Sequence, residues 1–387
     1  MAYVPADDAS AEQAAIRDAV DTFAQRYLTA EYLDKCDREA RYPREAMDAL
    51  AGGGWSALPV PEEFGGAGAS ITALTTFHEA LARHSLVVAQ AYFSLWVLGA
   101  DALARLGTPK QQAAWLPRIN DGTGLIAFAL TEPESGSDAA ALRTSATRTD
   151  DGFRVSGQKV FITGAAVSDV IVTAVRTGDA KSKHAGISML LIDPRREGVT
   201  IRPLSKLGIK ALDLCEVYFD NVEVDSEDVL GTADRGWAEL QPGLARERIF
   251  LAAIAAGGLR DIVERTLSYA KSRHSFGKPI GNHQLIAAKL VDMHIALQAA
   301  TGLIARAAQL IETNHPDAPV AASVAKLFTT NAYVSAAREG IQVHGGYGYT
   351  DDYPLARHYR DAKYLEIGGG TSEIQTIVIA RGLGLRP

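Results

Sequence analysis

Leu125-Ile126-Ala127-Phe128-Ala129-Leu130 runs directly into Thr131-Glu132-Pro133-Glu134-Ser135-Gly136-Ser137-Asp138. An apolar run of strand length ends in hydroxyls, acids, a proline and a glycine. Here the chain changes from helical to strand patterning. Upstream, the pattern has helical spacing. Ser10 caps an expected helix from Ala11 to about Thr29, with Ala15, Ile16, Val20, Phe23 and Ala24 on one face. Pro43 opens a short helix that stops at Gly52-Gly53-Gly54. Further helices are expected over Ala69–His84, Leu86–Leu106 and, after Pro109, Lys110–Ile119. The stretch from Leu86 is almost wholly apolar, so it belongs in a core.

Downstream, short β-branched runs bounded by turn residues follow one another. They are Phe153–Gly157, Val170–Val175, Ile187–Ile192, and Val217–Phe219 and Val222–Val224 on either side of Asp220-Asn221. After Gly236 helices return, over about Ala245–Arg273, His283–Thr313 and Pro319–His344. Strands that are grouped rather than alternating with helices indicate an α+β fold, not a doubly wound sheet. The division expected is 1–122 helical, 123–232 β and 233–387 helical.

Bulk properties agree and exclude much else. At 387 residues, a prior of ~150 residues per domain allows two or three domains. Apolar residues are 47% and charged residues 22%, as in an ordinary globular protein. The net charge of -7 argues against a nucleic-acid-binding body. The two cysteines, Cys36 and Cys215, form no pairing or zinc pattern and fit a reducing, cytoplasmic setting. The first residues lack a signal-peptide pattern, and no apolar run is expected to reach the ~18 residues of a membrane span.

Four segments carry candidate chemistry. Leu130–Asp138 offers hydroxyls and backbone amides at a strand end, a cradle for phosphate or a polar ring edge, although polar turns look the same. In Lys159-Val160-Phe161-Ile162-Thr163-Gly164, Phe161 and Thr163 share a strand face and could stack on and hydrogen-bond to a flat ligand; an ordinary strand reads alike. Arg273, at the end of a long helix before a Gly-Pro turn, suits a phosphate or simply the helix dipole. Last come Gln342-Val343-His344-Gly345-Gly346 and Gly368-Gly369-Gly370-Thr371-Ser372, the latter feeding a helix N-terminus capped by Thr371 or Ser372. The Gly-x-Gly-x-x-Gly spacing of dinucleotide folds is absent.

In this combination and order the segments resemble the acyl-CoA dehydrogenase family over nearly the whole chain. The resemblance implies an N-terminal helical domain, a middle β-barrel-like domain and a C-terminal four-helix bundle. It also implies FAD as cofactor and a homotetramer. Residues implied to contact FAD are Phe128, Leu130, Thr131, Gly136, Ser137, Phe161 and Thr163. Across a subunit boundary they are Arg273, Phe276, Gln284, Gln342, Gly345 and Gly346, and at the phosphates Thr371 and Ser372. Ser137 and Gly370 are also implied to touch the substrate.

Many members carry the catalytic glutamate at the position occupied here by Gly369, which has no proton acceptor. The isovaleryl-CoA and long-chain branches place it on the long helix beside an arginine. Arg246-Glu247-Arg248 matches that wording, so the resemblance implies Glu247 as base and Arg248 as a substrate contact. By its residues alone Glu247 also reads as a solvated or first-turn acid; Glu366 is the rival acid. The Gly369 N–H is implied to take the thioester carbonyl. Gly164 replaces a frequent Asn, and Lys210-Ala211-Leu212 replaces Arg-Gly-Ser.

The activity implied is α,β-dehydrogenation of an acyl thioester, with electrons passed to an electron-transfer flavoprotein. Leu95, Trp96 and Leu98 as a bulky pocket floor point to short or branched acyl-CoAs. Dehydrogenation of an acyl or aminoacyl group on a carrier protein, a flavin oxidase or monooxygenase on the same fold, and a degenerate, non-catalytic flavoprotein scaffold are the alternatives. No metal, nucleic acid or membrane partner is expected.

Overall fold

The computed structural model describes residues 11–178 and 183–386, so the Ser10 cap lies outside the described residues. The helices of the N-terminal third are α1 (Ala11–Tyr27), α2 (Ala30–Glu39), α3 (Arg44–Gly52), α4 (Ile71–His84), α5 (Leu86–Tyr92), α6 (Leu98–Leu106) and α7 (Pro109–Asn120). A π-turn over Phe93–Val97 joins α5 to α6. Together they form the expected apolar helix Leu86–Leu106, 21 residues long with a stretch of mean hydropathy 1.5. Gln90, Ser94 and Asp101 interrupt its apolar run, yet by length and composition it could cross a membrane. It is instead a core helix, with 83% of its apolar window buried. Caps fix the helix starts: Ser70 Oγ accepts from Ala73 N–H, and Thr108 with Gln111 forms a capping box ahead of Pro109.

The strands are β1 (Ile126–Ala129), β2 (Ser145–Arg148), β3 (Gly152–Thr163), β4 (Val170–Arg176), β5 (Ile187–Ile192), β6 (Val199–Pro203), β7 (Leu214–Asp225) and β8 (Val229–Leu230). They form one eight-stranded sheet in the order β6-β7-β3-β2-β4-β5-β8, with β1 parallel to β4. The hydrogen-bonded path is open, with β6 and β8 at its ends. β4 and β5 are buried on both faces, which is why their runs are continuously apolar rather than alternating. The runs flanking Asp220-Asn221 are a single strand, β7. Val155 pairs with Val222 and Gly157 with Phe219, so β7 carries the extra residue, and Asn221 takes φ 52°. That is a bulge within one strand, not a turn between two.

The C-terminal third contains α8 (Gly236–Ser272), the two-residue strands β9 (His274–Ser275) and β10 (Lys278–Pro279), α9 (Gln284–Glu312), α10 (Ala318–His344), α11 (Leu355–Ile367) and α12 (Ser372–Gly382). α10 packs against α9, α11 and α12. Its buried stripe includes Ala322, Ala325, Ala336 and Ala337, small enough for close helix approach, and the fully buried Tyr333. α8 starts at Gly236 rather than near Ala245, carrying Pro242 inside it.

The chain divides into two compact units. One comprises residues 34–69 and 90–247 and contains the sheet; the other comprises 1–33, 70–89 and 248–387. In the second unit His78 is fully buried, its ring stacked on Phe250 at 5.0 Å with its Nδ1 2.6 Å from the Leu74 carbonyl. Burial lowers its pKa to about 4. The unfolded chain binds that proton near 6.5, so stability is present above that value and lost as pH falls toward 4. The difference corresponds to about 3 kcal/mol. His78→Phe should flatten the stability profile between pH 6.5 and 4 in denaturant titrations; an unchanged slope would show that His78 does not supply it.

Candidate active site

In the sheet-bearing unit the loop after β1 is fastened to β3. Val160 N–H donates to Thr131 O at 2.9 Å, and Glu132 and Ser135 exchange backbone hydrogen bonds that close a tight turn. Ser135 Oγ donates to Asp138 O at 2.8 Å. Beneath the turn lies an ion pair that the sequence reading did not single out. Lys159 Nζ sits 2.8 Å from Glu132 Oε1 and 3.1 Å from Leu130 O, and the lysine is 0% exposed. The Glu132 carboxylate also accepts the Arg143 and Thr144 amides at 2.6 and 2.8 Å. Burial alone would raise the Glu132 pKa, but the Lys159 charge and these hydrogen bonds hold it below its usual range. Burial pulls Lys159 down to about 8 against the opposing pull of Glu132.

The fastened loop leaves Gly136 and Ser137 exposed, and a Cβ at Gly136 would meet nothing within 4 Å. Phe128 on β1 and Leu130 just after it are the less buried alternate residues. On β3, Lys159 pairs with Val217 and Ile162 with Cys215, so Val160-Phe161 form a bulge. Phe161 takes φ 60° and is 59% exposed, between buried Val160 and Ile162. Beyond the bulge the burial alternates, with Ile162 buried between exposed Phe161 and half-buried Thr163. The bulge turns the aromatic outward, beside a half-buried Thr163. The Thr163 hydroxyl makes no hydrogen bond among the described residues.

Next along β3, Gly164 takes φ 75°, and a Cβ there would lie 2.5 Å from Leu95 Cδ2. Leu95, from the π-turn, thus abuts the end of β3. Trp96 faces elsewhere, edge-on to Tyr92 at 5.6 Å and near Gly122. Of the expected floor residues, Leu95 is the one placed at the Thr163 end.

Glu247 lies three turns inside α8 and is half-buried. A first-turn role at the helix dipole is excluded by the helix's early start, since the dipole acts only over the terminal turn. The first-turn acid is Glu239, which accepts the Thr232 amide at 3.0 Å. Arg246 is tied to Asp101 on α6 at 2.6 Å, and Asp101 also takes Arg105 at 2.9 Å. Arg248 is buried at 9% exposure. The rival acid Glu366 is engaged by Lys363 Nζ at 2.6 Å.

In the other unit, Gly368 N–H donates to Tyr364 O and ends α11, and the chain then turns through Gly369 at φ 65° and Gly370 at φ 87°. Thr371 Oγ1 caps α12, accepting the Ile374 amide. Ser372 Oγ donates to Asn331 Oδ1 at 3.3 Å. Two fully buried side chains missed at the sequence level hold this turn. Lys326 Nζ donates to Gly370 O at 2.6 Å, and Gln375 Nε2 donates to Gly369 O and Gly370 O at 3.1 and 2.8 Å. A lysine on the Ala322–Ala325–Thr329–Tyr333 stripe was the available signal.

Arg273 follows the last residue of α8, and its guanidinium lies 5.8 Å from the Tyr347 ring centroid. The expected Gly-Pro turn is a hairpin in which Phe276-Gly277 join β9 to β10 and Pro279 belongs to the return strand. Both turn residues have positive φ, 50° and 79°, as mirror-type hairpin turns require. Phe276 is 93% exposed. Gln284 begins α9, and it, Gln342, Gly345 and Gly346 are all exposed.

Three family models, for the N-terminal, middle and C-terminal domains of acyl-CoA dehydrogenases, match residues 10–123, 127–222 and 234–384. The probable acyl-CoA dehydrogenase YngJ of Bacillus subtilis (strain 168) is 34% identical over 373 residues, 96% of this chain and 98% of that protein. Among solved structures, the prolyl acyl carrier protein oxidase AnaB superposes with TM-score 0.93 at 30% identity, covering 97% and 100% of the two chains. The FAD complex of PigA gives TM-score 0.94 at 26% identity, covering 98% and 99%.

Removing one partner of a buried ion pair leaves the other charge uncompensated. Glu132→Gln should therefore lower unfolding stability by about 3–5 kcal/mol in denaturant titration. Adding Lys159→Met should recover much of that loss; a Glu132→Gln protein of unchanged stability would contradict the assignment.

Proposed function

The chain belongs to the acyl-CoA dehydrogenase family, an FAD-dependent oxidoreductase family, and we propose that it dehydrogenates a short or branched acyl-CoA between Cα and Cβ to give the 2-enoyl thioester. When bound, FAD supplies the two-electron oxidation by accepting the β-hydrogen as hydride. The residues present suit such a group. Phe161 offers an outward aromatic face, the adjacent Thr163 hydroxyl is uncommitted, and the fastened loop at Gly136 and Ser137 is open to backbone approach. In the second unit, Thr371 and Ser372 at the α12 N-terminus suit phosphate oxygens.

One observation carries the assignment of the base: position 369 is glycine, while Glu247 is a half-buried carboxylate on a helix whose neighbouring Arg246 is already tied to Asp101. Glu247 removes the α-proton, and the Gly369 N–H donates to the thioester carbonyl as negative charge develops there. Arg248 contacts the substrate, as do Ser137 and Gly370, and Leu95 at Gly164 closes the acyl end to long chains. We take residues 1–122, 123–232 and 233–387 as its three domains. The electron acceptor in this reading is an electron-transfer flavoprotein, and the compartment is the cytoplasm.

The assembly in this reading is a homotetramer. Phe276 supports it: a bulky residue strained at positive φ and almost wholly in water has only an edge-on contact with His283, at 6.0 Å, to offset the strain among the described residues. Arg273, Gln284, Gln342, Gly345 and Gly346 share its exposure and complete a neighbour's FAD site. The likeness to a prolyl carrier-protein oxidase favours a second reading, in which the acyl group rides on a carrier protein.

Anaerobic titration of the flavin-loaded protein with acyl-CoAs of graded length and branching should bleach the flavin fastest with short or branched chains. Bleaching by a carrier-protein thioester alone would select the second reading. Glu247→Gln should lower turnover by at least ~10²-fold with FAD retained; substantial remaining turnover would remove Glu247 from the mechanism. Phe276→Asn should relieve backbone strain, stabilising the subunit by up to about 1 kcal/mol while weakening FAD retention. Unchanged FAD affinity would count against the shared site.

A further inference from the structure

Three consecutive glycines, Gly368-Gly369-Gly370, make the least constrained backbone a chain can have, and ordering each residue costs about 1–2 kcal/mol. A donor to a developing enolate must be fixed before the reaction begins. The loop has no side chains of its own to brace it. We propose that Lys326 and Gln375 are positioning residues that supply this bracing, holding the Gly369 and Gly370 carbonyls so that the loop's amides face the substrate's thioester carbonyl. The proposal rests on the reading of the Gly369 amide given above.

The geometry of the clamp is specific. An ammonium has three donors and no acceptor, so the 2.6 Å approach of Lys326 Nζ to Gly370 O is a hydrogen bond in one direction. Gln375 Nε2 donates to both carbonyls, while its Oε1 is buried with no hydrogen-bond partner among the described residues. The opposite amide orientation would set Oε1 against two carbonyl oxygens, so the donor side must face the loop. A trans peptide points its carbonyl and its N–H in opposite directions. Pinning Gly369 O and Gly370 O toward α10 and α12 therefore turns the Gly370 and Thr371 amides away from them. On the other side, Gly368 N–H is held by Tyr364 O at 2.8 Å. The Gly369 peptide is thus caught between two fixed points, with φ values of 65° and 87° that glycine adopts freely.

The buried Lys326 charge lies against the peptide unit that follows Gly370, close to the loop, where it favours a carbonyl oxygen gaining negative charge. A residue serving only to pack α10 against α12 would do neither.

The test uses the FAD-loaded protein and its Lys326→Met, Lys326→Arg and Gln375→Leu variants. Removing an oxyanion donor outright costs ~10²–10³-fold in kcat, and loosening one should cost about tenfold or more. The expected result for Lys326→Met is that loss in kcat with acyl-CoA affinity changed less than about threefold, and partial recovery in Lys326→Arg. A thioester analogue that can lose its α-proton but cannot be oxidised should show its bound α-carbon acidity fall about tenfold. Hydrogen exchange should quicken in a peptide spanning residues 366–372 and not within α10 or α12.

Lys326→Met protein with full FAD, wild-type kcat and wild-type α-carbon acidity would overturn the proposal. So would uniform exchange across the unit with kcat unchanged. If Lys326→Met fails to fold, Gln375→Leu and Lys326→Arg decide by the same readouts. Failure of the wild-type protein to bleach with any thioester, or retained turnover in Glu247→Gln, would instead sink the underlying reading of the site.

Discussion

A lysine with no exposure to water, paired to a glutamate in the turn above it, fixes the geometry of the loop that leaves the sheet after β1. Taking both charges out of water is costly, and their attraction repays it only when the remaining donors and acceptors are satisfied. Here the carboxylate takes Lys159 and two backbone amides, and the ammonium also takes Leu130 O. The pair joins the end of β1 to the point where β3 leaves its register. It is placed where a hydrophobic contact of equal strength would still let the loop slide, because apolar contacts have no direction. Lys159, held by this pair, is the last residue of β3 in register before the bulge that carries Phe161.

The two units meet the same demand by the same means. In one, Lys159 holds a backbone carbonyl of the loop after β1; in the other, Lys326 holds a backbone carbonyl of the glycine turn before α12. Both lysines are fully buried. In each case the chemistry proposed for the loop uses backbone amides, and a side chain from a neighbouring element fixes their direction. Short of a substitution to proline, backbone donors survive mutation, but their orientation can be changed, which places the sensitivity of such a site in residues that never touch the substrate.

Much of this architecture is legible in the chain. Helix starts at Pro43, Ser70 and Pro109 follow from cap and proline chemistry, and the apolar runs of β4 and β5 announce strands buried on both faces. What escapes is whatever depends on a partner element. The bulges at Phe161 and Asn221 are set by how β3 and β7 pair, which neither strand's own pattern contains. The early start of α8 lies upstream of the amphipathic pattern, which begins only near Ala245, and the intervening helix contains Pro242. In the fold, Arg105 of α6 reaches the nearby Glu239 carbonyl at 3.3 Å, and the helix continues through the proline. The roles of Lys159 and Lys326 needed the third dimension: a lysine among apolar residues looks alike whether it snorkels to water or holds a carbonyl.

The π-turn at Phe93–Val97 has a consequence for heredity as well as for packing. Such a turn amounts to one residue inserted into an α-helix. Losing a single residue there would restore a plain helix and leave its length almost untouched, but it would rotate everything beyond by about 100°. Asp101 and Arg105 would swing away from Arg246 and the Glu239 carbonyl, releasing the stretch of α8 that leads into Glu247. Descendants of this chain can exchange residues within the turn far more freely than they can change its count. A one-residue gap at this point in a relative would mark a chain whose acid is aimed differently.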